Sequence, residues 1–200
     1  MAIRYRCFWI TKGYMIPPGL SFISVSQKAW EAAEKSNLPK FYLNLKSYRK
    51  SLLSKSNPYT PAVNLIFALD EALKMMREEG LNNIFLRHNK HKLVMSSAVK
   101  VLNLKLFADE KYLSPSVTAI KTEGIDAEQF RKIIKDKFDI LLAGGQDHLK
   151  GKIFRVGHLG YVNDRDIITI ISAISNTLLS LGKISSQQAG EALVLSLIHI

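Results

Sequence analysis

Residues 117–156 read VTAIKTEGIDAEQFRKIIKDKFDILLAGGQDHLKGKIFRV, and this stretch decides the fold class. Val117-Thr118-Ala119-Ile120 reads as a short strand. Asp126 is a good N-cap for a helix over Ala127 to Asp136. Ile140-Leu141-Leu142-Ala143 reads as a second strand stopped by Gly144-Gly145, and Lys152 to Val156 as a third. Helices alternating with short strands predict an α/β chain. Its later part is an α+β layer, a small mixed or antiparallel sheet covered by helices.

Working outward, a long helix is predicted from Asp164 to Leu181, with Ile167, Ile168, Ile171, Ile174 and Leu178 facing inward. Upstream, a helix from His88 to Phe107 carries Leu93, Val94, Val101 and Leu104 as its core stripe. Thr60-Pro61 opens an amphipathic helix through Glu79, with Val63, Phe67, Ala68, Leu73 and Met76 as its apolar set and Gly80 as its C-cap. Phe41, Leu43 and Leu45 alternate with polar residues as a short strand does. Ser26 caps a helix over Gln27 to Ser36, with Trp30 and Ala33 on one face, ending before Pro39. The turn from Gly80 to His88 marks the expected boundary. Residues 12–80 then close one domain, and residues 81–194 form a small second one.

Composition sets the outer limits. The 200 residues are 47% hydrophobic and 22% charged, ordinary for one globular domain and part of another. No apolar run approaches the roughly 20 residues of a membrane span, so no membrane partner is expected. The opening MAIRYRCFWITKG lacks the apolar core and cleavage site of a secretory signal. A single cysteine, Cys7, excludes an internal disulfide and suits a reducing cytoplasm. The net charge of +11 raises one alternative, a non-catalytic basic α+β domain that binds nucleic acid or a protein partner. Against nucleic acid, the lysines are spread along the chain. Lys90, Lys92, Lys100 and Lys105 are interleaved with apolar residues as on a solvated helix face, and no aromatic recognition signature accompanies them. His88, His91, His148 and His158 fit no zinc spacing, so no metal site is expected; His158 reads as a packing residue.

Three stretches carry chemistry. Lys12-Gly13-Tyr14-Met15-Ile16-Pro17-Pro18-Gly19-Leu20 places a lysine before a glycine turn and a rigid Pro-Pro-Gly connection. By itself this is a lysine before a turn. It resembles S-G-S-Q-K-G-x-M-x-P-P-G-L of the class V, fold-type I, pyridoxal-phosphate-dependent aminotransferases of the alanine/serine–glyoxylate (serine–pyruvate) group. Thr60-Pro61-Ala62 and the following Leu65 to Leu73 are similar to that family's T-P-A-x-x-L-I-x-A-L-x-E-A-L. Phe154-Arg155-Val156-Gly157-His158-Leu159-Gly160 looks like its R-I-G-H-M-G, and Lys121 to Asp126 like its K-T-P-E-G-I-D without the proline.

The resemblance is to the carboxy-terminal part of such an enzyme, beginning at the cofactor lysine. It implies that Lys12 holds pyridoxal 5'-phosphate as an imine and then shuttles the substrate proton. It implies that Thr60, at a helix start suited to anions, reaches the cofactor phosphate of a neighbouring subunit in a homodimer. Arg155 becomes the clamp on the substrate α-carboxylate, for which a guanidinium offers a flat two-donor fork. The expected reaction moves an amino group from alanine or serine to an oxo acid such as glyoxylate or pyruvate. A full-length relative also draws an aspartate for the pyridinium and a glycine/serine-rich helix start from upstream. Neither lies in these residues, so the chain as given is expected to be inactive. A desulfurase reading needs a reactive cysteine on a late loop, whereas Cys7 is early.

The resemblance runs from about Lys12 to Ser180. Before it, the family carries D-I-V-V-S-G-S-Q where this chain has Tyr5-Arg6-Cys7-Phe8-Trp9-Ile10-Thr11. Were residues 5–11 encoded by TAT CGT TGT TTC TGG ATC ACA behind an arginine codon ending in GA, the neighbouring frame would give D-I-V-V-S-G-S. Residues 1–11 are therefore expected to be a frame-shifted segment. Leu195 to Ile200 is what CTG TCT CTT ATA CAC ATC encodes, a transposase-adapter string, so residues 195–200 are expected to be an adapter-derived tail.

Overall fold

A computed structural model describes the strand Tyr5–Trp9 and residues 13–198. The chain divides into two compact units, Met1–Met75 and Met76–Ile200.

In the first unit, β1 (Tyr5–Trp9) pairs antiparallel with β2 (Ser21–Val25), Tyr5 opposite Val25 and Trp9 opposite Ser21. Ser26 then caps α1 (Gln27–Lys35), its Oγ accepting from the Ala29 N–H at 3.3 Å, as the sequence predicts. The strand predicted at Phe41, Leu43 and Leu45 is not formed. Asn44 Oδ1 accepts from the Lys46 N–H at 3.1 Å and starts α2 (Leu45–Leu53). Phe41 and Leu43 are each 80% exposed, so no buried face holds an extended run. The rings of Phe41, Tyr42 and Tyr48 gather instead on Tyr59, with centroids 5.9, 4.6 and 6.1 Å from it.

α3 (Val63–Glu79) also starts later than predicted. Its first i to i+4 bond runs from the Ile66 N–H to Ala62 O, which places Thr60 ahead of the helix and not at its cap. Ala72 is buried against Ile16, with Ala68 and Leu69 beside them, but Val63 and Phe67 of the predicted apolar set are exposed.

In the second unit, α4 (Leu81–Val101) begins at Leu81 rather than His88 and ends before Phe107. Gly80, at φ +82°, supplies its first carbonyl to the Ile84 N–H. Asn103, in the left-handed region at φ +56°, ends it. The Asn103 N–H bonds to Lys100 O and the Leu104 N–H to Val99 O, a Schellman stop. Val94 is fully buried as expected, whereas Leu93 is 57% exposed. Lys105 accordingly lies on a strand, paired with Glu123 at 2.7 Å.

The sheet runs β3 (Lys105–Leu106), β4 (Val117–Lys121), β6 (Ile153–Gly157), β5 (Ala143–Gly144), with all neighbours antiparallel. The strand predicted over Ile140 to Ala143 shrinks to Ala143–Gly144. Asp139, at φ +55°, ends α5 (Ala127–Phe138), and the Leu142 carbonyl is taken by Arg131 Nε at 2.8 Å. Asp126 caps α5 through the Glu128 N–H, as expected.

Helices α5, α6 (Asp164–Ser180) and α7 (Ser186–Ile198) complete the layer with α4. Ile120, Phe154 and Val156 of the sheet pack with Phe130, Ile134, Ile167, Ile171, Ile174 and Leu178 in one core. Burying each such side chain stabilises by roughly 1.5–3 kcal/mol. Ile168 is only half-buried, and α7, whose Ala189, Ala192 and Ser196 are buried, was not among the predicted helices. The architecture is the expected α/β one, a small antiparallel sheet covered by helices.

Candidate active site

Lys12 lies outside the described residues. The segment that follows it is pinned within its own unit. Ile16 is 7% exposed against Ala72. Gly19, at φ +143°, lies so near Leu65 that a β-carbon would come within 2.6 Å of Leu65 Cδ1. The turn predicted at Gly13 forms over residues 13–15, with the positive φ on Met15 (+57°) rather than on Gly13, where a β-carbon would meet nothing within 4 Å. Thr60 belongs to the same unit. It is exposed just ahead of the α3 start, and among the described residues no hydrogen bond engages its hydroxyl.

Arg155 belongs to the second unit, at the centre of β6. Strand alternation sends Phe154 and Val156 into the core, so Arg155 takes the opposite face. Its cross-strand partners are Ala119 on β4 and Ala143 on β5. Two alanines thus leave the guanidinium room on that face. The side chain is half-buried, and its Nε donates to Gly144 O at 2.9 Å. Among the described residues nothing engages its two terminal nitrogens. One donor is therefore fixed by the backbone and the terminal fork is presented for a planar anion such as a carboxylate.

The loop after β6 is held from two sides. His158 is fully buried. Its Nδ1 lies 3.1 Å from Pro115 O and its Nε2 2.9 Å from the Thr118 hydroxyl. Those partners assign a neutral ring that donates from Nδ1 and accepts at Nε2. Burial, more than any neighbour, pushes its pKa down to about 4. His88 Nδ1 faces Ile84 O at 2.7 Å, and its Nε2 accepts the Gly160 N–H at 3.2 Å. Arg87 grips Glu79 bidentately at 2.6 and 2.9 Å and donates through Nη1 to Gly160 O and Val162 O. His91 bonds Asp164 at 2.9 Å and is held below the ordinary histidine range by burial.

The sequence singles out Arg155, offers His88 only among histidines without a zinc spacing, and gives no sign of Arg131, Glu128 or Arg87. Arg131 and Arg87 act on backbone carbonyls far along the chain, and no local pattern signals that. Among the described residues, no group of three or more His, Cys, Asp and Glu side chains is arranged to hold a metal, and no helix is long and apolar enough to cross a membrane.

No protein-family model matches the chain. Curated relatives do. A soluble hydrogenase small subunit from Synechococcus sp. is 55% identical over 171 residues, 86% of this chain and 44% of that protein. An L-aspartate–glyoxylate aminotransferase from Paracoccus denitrificans is 35% identical over 86% of this chain and 44% of its own length. A serine–glyoxylate aminotransferase from Methylorubrum extorquens is 35% identical, with the same shares covered. Among solved structures, the ureidoglycine–glyoxylate aminotransferase of Bacillus subtilis superposes with a TM-score of 0.86 at 27% identity, covering 98% of this chain and 51% of that one. The pyridoxamine–pyruvate aminotransferase of Mesorhizobium loti gives 0.87 at 25% identity over the same shares.

Sheet, helices and the Arg155 strand are thus those of a fold-type I, pyridoxal-phosphate-dependent aminotransferase. Within that class the chain belongs to the class V family of alanine/serine–glyoxylate aminotransferases, matching its carboxy-terminal part. It spans less than half the length of the curated relatives it matches.

Proposed function

We propose that this chain is the carboxy-terminal part of a transaminase that moves an amino group from a small amino acid, alanine or serine, to an oxo acid, glyoxylate or pyruvate. The observation that carries this reading is Arg155, fixed through Nε by Gly144 O between two alanines with its terminal fork unengaged. Arg155 orients the substrate by its carboxylate. Thr60, with its exposed hydroxyl just ahead of the α3 N-terminus, fits a contact to the cofactor phosphate across a cytoplasmic homodimer. Lys12 is the residue that holds the cofactor and moves the α-proton. Pyridoxal 5'-phosphate, when bound, supplies the electron sink that makes that proton removable.

By themselves, these 200 residues are expected to give no turnover. Two measurements test this. Incubation with pyridoxal phosphate, borohydride and substrate pairs is expected to give no turnover; a trapped adduct at Lys12 together with turnover overturns the inactivity. Titration with pyruvate or alanine is expected to shift the side-chain resonances of Arg155, and a response no larger than that to chloride at equal ionic strength overturns the clamp.

The name borne by the Synechococcus relative favours a second reading, association with a hydrogenase. With Cys7 as its single cysteine, this chain brings no set of thiolates for a metal–sulfur centre, so that role is one of a companion subunit. Co-purification of hydrogen-uptake activity with the chain, and no response of Arg155 to carboxylates, is the outcome that reading requires.

A further inference from the structure

We propose that Arg131, locked by Glu128, is the positioning residue that sets the aim of Arg155; this rests on the reading of Arg155 as a carboxylate clamp. The two arginines sit on different elements and act on one short piece of backbone. Arg131, on α5, donates from Nε to Leu142 O at 2.8 Å. Arg155, on β6, donates from Nε to Gly144 O at 2.9 Å. Between those carbonyls lie only Ala143 and Gly144, the whole of β5. What holds the Gly144 carbonyl therefore holds the guanidinium of Arg155.

Both residues of β5 are paired to β6, Ala143 opposite Arg155 and Gly144 opposite Phe154, and the Gly145 N–H bonds to Ile153 O at 3.2 Å. A two-residue edge strand is weakly held by pairing alone. Arg131 adds a second restraint from α5, at the Leu142 carbonyl where the chain enters the strand. Its Nη1 bonds Glu128 Oε2 at 2.8 Å, one helical turn back, so the guanidinium is anchored at both ends. Its guanidinium lies beside Gly144. A β-carbon there would overlap Arg131 Nη1 and come within 2.8 Å of Glu128 Oε1. The φ of Gly144 is not in the left-handed region, so its backbone would admit alanine. An alanine at this position would therefore push aside the ends of the Arg131 and Glu128 side chains. Arg131 is 22% exposed and touches nothing proposed to react, which makes it a positioning residue rather than a catalytic one.

The test uses the full chain, labelled with ¹⁵N-arginine, with the Arg155 Nε–H signal assigned from an Arg155→Lys spectrum. Hydrogen exchange at that Nε–H reads the bond to Gly144 O. Arg131→Gln removes the brace, and Gly144→Ala displaces it while removing nothing. In both variants, exchange of the Arg155 Nε–H is expected to quicken by roughly tenfold, and the pyruvate midpoint to weaken by a similar factor. The backbone amides of Ile120 and Phe154 are expected to stay protected, as loss of a purely structural contact would not leave them. Exchange at Arg155 within about twofold of the unaltered chain in both variants overturns the proposal. If Arg131→Gln does not fold, Gly144→Ala decides alone. Pyruvate without effect on the unaltered chain sinks the clamp reading, and the exchange measurement still decides what Arg131 does.

Discussion

Acid should unfold the second unit early, and His158 sets the window. The ring is fully buried and neutral, donating to Pro115 O and accepting from the Thr118 hydroxyl. Its folded pKa is about 4 against an ordinary 6.5. A histidine whose folded pKa is depressed binds its proton more tightly in the unfolded chain. Its contribution to stability is therefore intact above pH 6.5 and is lost as pH falls from there through 4. By pH ~5 the loss is about 2 kcal/mol, and the full shift corresponds to about 3 kcal/mol. His91, also held low by burial, adds a loss of the same sign. Asp164 and Glu79, whose carboxyls are held below their usual range, act only further down, as they protonate. Thermal melts followed by near-ultraviolet circular dichroism from pH ~7 to ~5 should show the second unit's midpoint falling by roughly 5–10 °C. His158→Gln keeps an acceptor for Thr118 and cannot titrate. It is expected to cost about 1–2 kcal/mol at neutral pH and to flatten the slope, leaving the part owed to His91. A melting temperature independent of pH in this range, or a slope unchanged by His158→Gln, would refute the reasoning.

Two further outcomes follow from the same unit. Phe154→Ala empties a site where the Phe130 ring lies 5.1 Å away, centroid to centroid, and both rings are buried; it should destabilise the unit by about 3–5 kcal/mol, measured by urea titration. Asn163 caps α6 by accepting from the Arg165 and Asp166 N–H groups while Asp166 returns a bond to the Asn163 N–H; Asn163→Ala should cost about 1 kcal/mol in the same assay, and Asp166→Asn much less.

What the sequence made legible depended on whether its signals were local. Ser26 and Asp126 cap helices where they were expected to, because a cap is decided within three residues. The inward stripe of α6 was legible because seventeen residues give the 3.6-residue period room to show. β3 and β5 have two residues each, too few for any period, and they exist only because β4 and β6 lie beside them. The errors in the first unit have another cause. Periodicity finds the apolar face of α3 but says nothing of what covers it, and Phe67 stands 71% exposed. At Phe41 and Leu43 a true alternation was outweighed by one side-chain bond from Asn44.

The candidate site divides along the same line. Lys12, Thr60 and Arg155 are candidates that motifs single out. The pair Gly144-Gly145 shows what a motif leaves out. In sequence it is a strand stop, too weak to call a phosphate loop. In the structure the two glycines answer to different neighbours. A β-carbon on Gly145 would run into the backbone carbonyl of Leu149, so that glycine serves the turn that brings the Gly145 N–H to Ile153 O. Gly144 makes way for Arg131, and through its carbonyl it holds Arg155. A substitution at Gly145 should therefore cost folding, whereas one at Gly144 should cost aim. No reading of the dipeptide alone separates those two consequences.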